Sequence, residues 1–452
     1  MSKTLLEKQK AYYNAGHTQS FTARIEALNT LEEAILKHQN NLEKALREDL
    51  AKSAFEAYAT EIGFILRSLR EMKALVRPHM KTKRVKTPLT QIGSRSYIKH
   101  DPLGSVLIIG PYNYPVQLVI EPLIGALAAG NTAIIKPSEF TEHTAKALAV
   151  MINEAFDPGL VHVLTGGVEV NQALTALPFD HIFFTGSTRV GQLVYEAAAK
   201  NLVPVTLELG GKSPTIVDET AKLDVAARRI VYGKFLNAGQ TCIAPDYVYV
   251  HERVIDSFIE KLTQTIAAFY PDDEKAMGHI VNEGHFKRLK GLIDPKKVVY
   301  DGQAKASSRY LAPVVMRDVT WEDAVMKEEI FGPILPILTY QSLDNVLAII
   351  RKNDKPLALY LFSENKATQK HVFESLSFGG GAINDTIMHV ANPHLPFGGV
   401  GASGIGAYHG KTSLKTFSHQ KAYMKKSTRF DPKFLYPPYS DKQVSFIKKI
   451  LK

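Results

Sequence analysis

Ser105-Val106-Leu107-Ile108-Ile109-Gly110-Pro111 is a short apolar run that ends on two turn residues, and three later runs repeat the pattern. Ala133-Ile134-Ile135 stops at Lys136-Pro137-Ser138. Val161-His162-Val163-Leu164 stops at Thr165-Gly166-Gly167, and His181-Ile182-Phe183-Phe184 stops at Thr185-Gly186. Helix-compatible stretches at 116–129, 141–155, 169–176 and 190–199 lie between or after them. Apolar strands alternating with helices predict βαβ units and a parallel sheet, so the fold class is α/β. Ligands of such sheets sit beyond the carboxyl ends of the strands, so the loops after these runs are where binding residues are sought.

Upstream, residues 1–77 read as helical. Ile25, Leu28, Leu31, Ile35 and Leu42 keep a helical spacing with charges between them, and Ala54 to Leu75 behaves likewise. Between Met80 and His100 the pattern changes to extended segments around Thr87-Pro88 and Ile92-Gly93-Ser94, which predicts a projecting hairpin. Downstream, a second mixed block opens at Pro204 and runs to about residue 408. The basic segment 409–452 is expected to leave the globule.

With 452 residues, 45% hydrophobic and 22% charged, the chain is expected to be a soluble globular protein of two or three domains. No apolar run is long enough to span a membrane, and the polar N-terminus is not read as a signal peptide. Those features and a single cysteine lead to the expectation of a cytoplasmic protein. The net charge of +10 is uneven: residues 71–100 and 421–452 each carry +7, leaving about −4 for the body. Two basic appendages are either solvated surface or contacts for an anionic partner such as a lipid surface. No nucleic-acid-binding motif accompanies them, so no nucleic-acid partner is expected.

The single cysteine, Cys242, lies in Gly239-Gln240-Thr241-Cys242-Ile243-Ala244-Pro245. A lone thiol makes neither an intrachain disulfide nor a multi-cysteine metal site. It is either a small buried hydrophobe or a single nucleophile. A nucleophilic thiol needs a base or a positive environment. Glu208, before Gly210-Gly211, suits a general base acting through water, or a structural carboxylate bonded to backbone. Asn113, in Pro111-Tyr112-Asn113-Tyr114-Pro115, suits an oxyanion donor beside the Cys242 N–H, or an Asn bonding its own loop. Gly186-Ser187-Thr188-Arg189-Val190-Gly191 follows a strand and opens a helix. It suits a phosphate or a plain strand–helix turn. Lys136 and Glu139 suit ribose hydroxyls or a solvated turn. The histidines show no metal-ligand spacing, so no metal site is expected.

Seven ordered runs carry a further reading. They are 111–115, 136–139, Phe184 to Gly191, Leu207-Glu208-Leu209-Gly210-Gly211-Lys212-Ser213-Pro214, Gly239 to Cys242, Glu328-Glu329-Ile330-Phe331-Gly332-Pro333, and Pro396-Phe397-Gly398-Gly399-Val400-Gly401-Ala402-Ser403-Gly404. Together the chain resembles the aldehyde dehydrogenase superfamily. Gln240 to Tyr247 and Asn384-Asp385-Thr386 look most like its class 3 branch, which includes fatty aldehyde dehydrogenases.

The resemblance implies a Rossmann-type coenzyme domain (1–78 and 102–205), an α/β catalytic domain (206–408), and an oligomerisation arm with a basic tail (79–101 and 409–452). It implies NAD(P)-dependent oxidation of an aldehyde, hydrophobic and either aliphatic or aromatic, to the acid. The route is a thiohemiacetal and thioester on Cys242, an oxyanion on Asn113, and Glu208 as hydrolytic base. Lys136, Glu139, Gly186, Ser187, Gly191, Glu329 and Phe331 would bind coenzyme. Tyr114, Thr241, Phe397 and Phe64 would line the substrate tunnel. NAD is the expected coenzyme, with NADP as the alternative, because Glu139 near the 2′-hydroxyl repels a 2′-phosphate. A homodimer is expected. Val444 to Lys452 alternates apolar and basic residues, which suits peripheral membrane contact or a tail packed on the dimer.

Overall fold

The structure, a computed structural model, describes residues 2–271, 273–429 and 431–451. Its frame is two mostly parallel sheets with helices packed around them. In the first, the strands lie in the order Gly404–Ile405, Val205–Glu208, His181–Thr185, Ser105–Ile109, Thr132–Lys136 and Val161–Val163. All neighbouring pairs are parallel except the first, which is antiparallel. Strands 105–109, 132–136 and 181–185 are buried at every position, which is why they read as unbroken apolar runs rather than alternating ones. The intervening helices are Gln117–Ala129, Glu142–Ala155, Val168–Thr175 and Thr188–Ala199. The first of these is buried along its whole length and is apolar on all sides, as a central helix must be.

The second sheet runs Val298–Asp301, Val314–Met316, Ile334–Tyr340, Tyr247–His251, Pro214–Val217, Ala358–Phe362 and Gly380–Ile383. The two sheets are stitched together by the chain's return at Gly404–Ile405, which pairs Gly404 with Glu208 and Ile405 with Leu207.

The N-terminal helices are Ser2–Asn14, Phe21–Leu50 and Gly63–Met80. Ser20 caps the second by accepting the Ala23 N–H, and Ala51 ends it in the left-handed conformation at φ 54°. Leu28, Leu31, Ile35, Leu42 and Leu46 form its buried stripe. Between the second and third helices, Tyr58–Ile62 forms one π-helical turn.

The hairpin is present as Lys83–Val85 against Ser94–Pro102. The other edge of Ser94–Pro102 pairs with Ser418–Lys426 over nine registered residues. The expectation that the chain leaves the globule after 408 fails for its first residues. Helix Gly410–Thr416 packs on Gln117–Ala129, with Leu414 and Phe417 buried. Gly125 makes room, since a Cβ there would lie 2.8 Å from Ser413 Cβ and 3.1 Å from the Phe417 ring. Two apolar side chains in a basic segment outweighed its charge. Beyond the strand, Asp441–Ile450 forms a capped helix with no buried residue.

Candidate active site

The carboxyl ends of four neighbouring strands converge on one edge of the first sheet. Strand 105–109 leads to Asn113, 132–136 ends on Lys136, 181–185 leads to Gly186 and Ser187, and 205–208 ends on Glu208. Parallel pairing therefore gathers residues distant in sequence, as the βαβ reading required.

Cys242 arrives from the other sheet. Leu236–Gly239 makes a tight turn in which Asn237, Ala238 and Gly239 are all left-handed, at φ 54°, 54° and 72°. Glycine is required at the last, because a Cβ would lie 2.3 Å from the Gly332 carbonyl oxygen. The loop is then fixed on both sides of the thiol. The Thr241 hydroxyl lies 2.7 Å from the Tyr114 hydroxyl, and the Tyr360 hydroxyl donates to the Ile243 carbonyl at 2.7 Å. Gln240 donates to the His279 carbonyl and accepts the Val281 N–H, each at 3.0 Å. Cys242 itself stays partly accessible.

Asn113 is buried and its amide donates to the Gln240 carbonyl at 3.0 Å, two residues before the cysteine. That uses one of two amide protons and leaves the other for a ligand. Glu208 is buried, and neither carboxyl oxygen has a protein partner. Its backbone carbonyl accepts the Gly186 N–H at 3.0 Å, which ties the base candidate to the phosphate-type turn.

The electrostatics follow from enclosure. Burial holds the Glu208 carboxyl well above the ordinary carboxylate range. Burial also pushes the Cys242 thiol up, and the Glu329 and Glu208 carboxylates add to this. The Cys242 and Ile243 backbone N–H groups act the other way. Glu329 is pushed up to about 8, by burial first and then by Asp246, with the Gly211 N–H and the Lys212 and Lys234 ammoniums opposing. The thiol and both carboxyls thus hold their protons more tightly than in water, which marks them as candidates for proton transfer.

The segment carrying Glu329 and Phe331 closes over this edge. Lys212 binds Asp246 and donates to the Glu328 carbonyl at 2.9 Å, while Asp246 accepts the Ile330 N–H at 2.9 Å. Gly210 leaves space for the Glu329 carboxyl, since a Cβ would fall 1.9 Å from its oxygen. Phe331, at φ 50°, meets the Tyr112 ring edge-on at 5.8 Å. Lys136 is almost wholly buried and binds Glu139 at 2.6 Å. Ser187 caps helix Thr188–Ala199. Gly191 is one turn further in and faces the sheet: a Cβ would lie 2.5 Å from Leu209. Its part is close helix–sheet packing. The glycine turn at Gly186, the helix that opens behind it and the unpartnered oxygens of Glu208 fit a nicotinamide dinucleotide along this edge.

The tunnel candidates fall into two groups. Tyr114 and Thr241 are bonded together beside the thiol. Phe397 and Phe64 share His409, which stacks on Phe397 at 5.3 Å and lies 6.0 Å from Phe64. Tyr408 packs against Phe397 at 5.9 Å and belongs to the same aromatic wall. Sequence reasoning missed Tyr408 and His409, which follow the last motif by only four residues. It also missed Lys52, Glu61 and Asn237, which bear on Asn113; a charged Glu61 on an otherwise apolar helical face was their one signal. Among the described residues no cluster of His, Cys, Asp or Glu could hold a metal ion.

Residues 4–423 match the model of the aldehyde dehydrogenase family. The chain is 52% identical over 448 residues to the 4,4'-diaponeurosporen-aldehyde dehydrogenase of Staphylococcus aureus, covering 98% of this chain and 97% of that protein. It is 45% identical to the dimeric NADP-preferring aldehyde dehydrogenase of Rattus norvegicus, covering 96% and 97%. A solved structure of a substrate-bound Staphylococcus aureus AldH superimposes with a TM-score of 0.98 at 51% identity, covering both chains fully.

Proposed function

The chain belongs to the aldehyde dehydrogenase family and oxidises aldehydes to carboxylic acids with NAD or NADP; we propose that Cys242 is its nucleophile, Asn113 its oxyanion donor and Glu208 its hydrolytic base. The observation that carries this reading is the convergence of the three. Asn113 is hydrogen-bonded to the cysteine loop, and in the first sheet only the strand His181–Thr185 separates the strand leading to Asn113 from the one ending on Glu208.

Cys242 passes its proton to solvent, and the thiolate attacks the aldehyde carbon. The carbonyl oxygen becomes an oxyanion, held by the free Asn113 N–H and the Cys242 backbone N–H. A bound oxidised nicotinamide would supply the acceptor for the hydride that leaves this carbon. The carbon is then a thioester on Cys242. Glu208 takes a proton from a water that adds to the thioester, and the acid departs as the sulfur regains its charge. A carboxyl with a raised proton affinity and two unpartnered oxygens suits that step. Lys136, Glu139, Ser187 and Glu329 would hold the coenzyme, Gly186 would let backbone approach it, Gly191 would seat the helix on the sheet behind it, and Phe331 would flank it.

The substrate is a hydrophobic aldehyde. Tyr114, Phe397, Phe64 and Tyr408 offer an aromatic wall with few polar groups, which favours apolar chains. The Staphylococcus aureus relative is named for 4,4'-diaponeurosporen-aldehyde, which agrees with this choice. The chain acts as a homodimer through the sheet of 83–85, 94–102 and 418–426, and the rat relative's name includes dimeric. It works in the cytoplasm, with helix Asp441–Ile450 touching anionic membrane. Phe446, Ile447, Ile450 and Leu451 are exposed beside Lys448 and Lys449. Lys452 lies outside the described residues. Among those described, no helix is long and apolar enough to cross a membrane.

The test is a chain-length series of aliphatic and aromatic aldehydes assayed by NADH formation, with Cys242→Ala alongside. Catalytic efficiency should rise with chain length, and the variant should form no NADH. Normal turnover by Cys242→Ala would refute the assignment.

A further inference from the structure

The carbonyl oxygen of Asn113 has both of its acceptor positions filled by side chains from distant parts of the chain. Lys52 Nζ donates to it at 3.0 Å and Asn237 Nδ2 at 2.8 Å. Lys52 also lies 4.1 Å over the Tyr114 ring and pairs with Glu61 at 2.5 Å, with both charged side chains fully buried. The other Glu61 oxygen accepts the Val116 and Gln117 N–H groups, at 2.8 and 2.9 Å. One ion pair therefore grips the loop at residue 113 and at the start of helix Gln117–Ala129.

The local backbone is bent to make this possible. Left-handed Ala51 ends its helix and turns Lys52 inward. Glu61 sits in the π-helical turn Tyr58–Ile62, a wide turn that re-aims the side chains around it. A buried ion pair gains little stability over apolar side chains of the same size, so stability alone does not account for it. What it supplies is direction: a fixed peptide plane at 113–114, and with it fixed positions for the Asn113 amide and the Tyr114 ring.

We propose that Lys52 and Glu61 are positioning residues for the oxidation, holding the Asn113 amide where the oxyanion forms. The proposal rests on the reading of Asn113 as oxyanion donor. Lys52 acts on the reaction through Asn113 and touches neither substrate nor coenzyme.

The experiment is a rapid-mixing measurement of the first-turnover NADH burst, with NAD affinity measured separately by fluorescence. Lys52→Met should slow the burst by about 10- to 100-fold, the effect expected of a misplaced reacting group. Its NAD affinity should change by less than about twofold, and in an Asn113→Ala background the same substitution should slow the burst by less than about twofold. Lys52→Met combined with Glu61→Gln leaves no stranded charge, and it should fold and keep the slow burst. A wild-type burst in that double variant would overturn the proposal. So would a full further loss in the Asn113→Ala background, or a defect confined to NAD affinity. A normal burst in Asn113→Ala alone would remove the oxyanion assignment, and this proposal with it.

Discussion

Glu208 and Thr185 are registered neighbours at the carboxyl ends of adjacent parallel strands, and neither side chain finds a protein hydrogen-bond partner. Registered neighbours in adjacent strands point to the same face of a sheet, so three unpartnered buried oxygens lie on one face at its end. Buried polar atoms are nearly always satisfied, so an unpaired group of them marks a place for water or ligand.

Glu208→Gln keeps the shape and removes the proposed base. The first-turnover burst of NADH should persist, while steady-state turnover falls by about 100-fold or more. In the native enzyme burial raises the Glu208 pKa. The carboxyl is active when ionised, so hydrolysis should weaken as pH falls through that raised value, well above the usual carboxylate range. Stopped-flow and steady-state assays across pH check both statements; unchanged steady-state turnover in the variant refutes them.

Lys136 neutralises Glu139 through a 2.6 Å contact. A 2′-phosphate placed beside Glu139 would therefore meet less repulsion than from a lone carboxylate. Glu139→Gln releases the Lys136 charge. The efficiency ratio of NADP over NAD should rise by about tenfold, or about 1.4 kcal/mol. A ratio unmoved by the substitution would show that this pair does not discriminate.

Glu121 tests the cost of a buried carboxyl away from the chemistry. Ser68 donates to one oxygen at 2.8 Å, the other is unpartnered, and burial pushes the group up to about 7. Its folded value exceeds the unfolded one of 4.5. Below pH 4.5 it is protonated in both states. Between 4.5 and 7 the unfolded chain loses the proton first, so stability declines there by on the order of 3 kcal/mol. Glu121→Gln should flatten that decline, and urea melts at pH 5 and pH 8 measure it.

Gly239 is held at φ 72° against the Gly332 carbonyl. Gly239→Ala should destabilise the protein by about 2–4 kcal/mol through backbone strain and the close contact. It should also displace Cys242, so alkylation of the thiol by iodoacetamide will change rate. Wild-type melting and alkylation would show that the turn absorbs the methyl group.

Strand and helix positions in the first sheet were legible because buried parallel strands are continuous apolar runs cut by turn residues. The 181–184 run is a strand at 181–185, and the 116–129 stretch is a helix at 117–129. The residues that meet at the strand ends, Asn113, Lys136, Gly186 and Glu208, were legible because each lies at or just after the end of a short apolar run. Lys52 was not, since its partners are 9 and 61 positions away and meet it only after folding. Gly191 looked like a phosphate residue, and only the packing of its helix shows that it faces Leu209. The segment after 408 looked like a departing tail because net charge hides two apolar anchors, Leu414 and Phe417.

The antiparallel return at Gly404–Ile405 has a mechanical consequence. It hydrogen-bonds the far end of the second block to the strand that ends on Glu208, and the Leu209 N–H adds a bond to the Ser403 carbonyl at 3.1 Å. The halves of the molecule cannot swing apart like jaws without tearing that seam and moving Glu208. Access of an aldehyde to Cys242 is therefore left to movements of individual side chains rather than to a hinge at this seam.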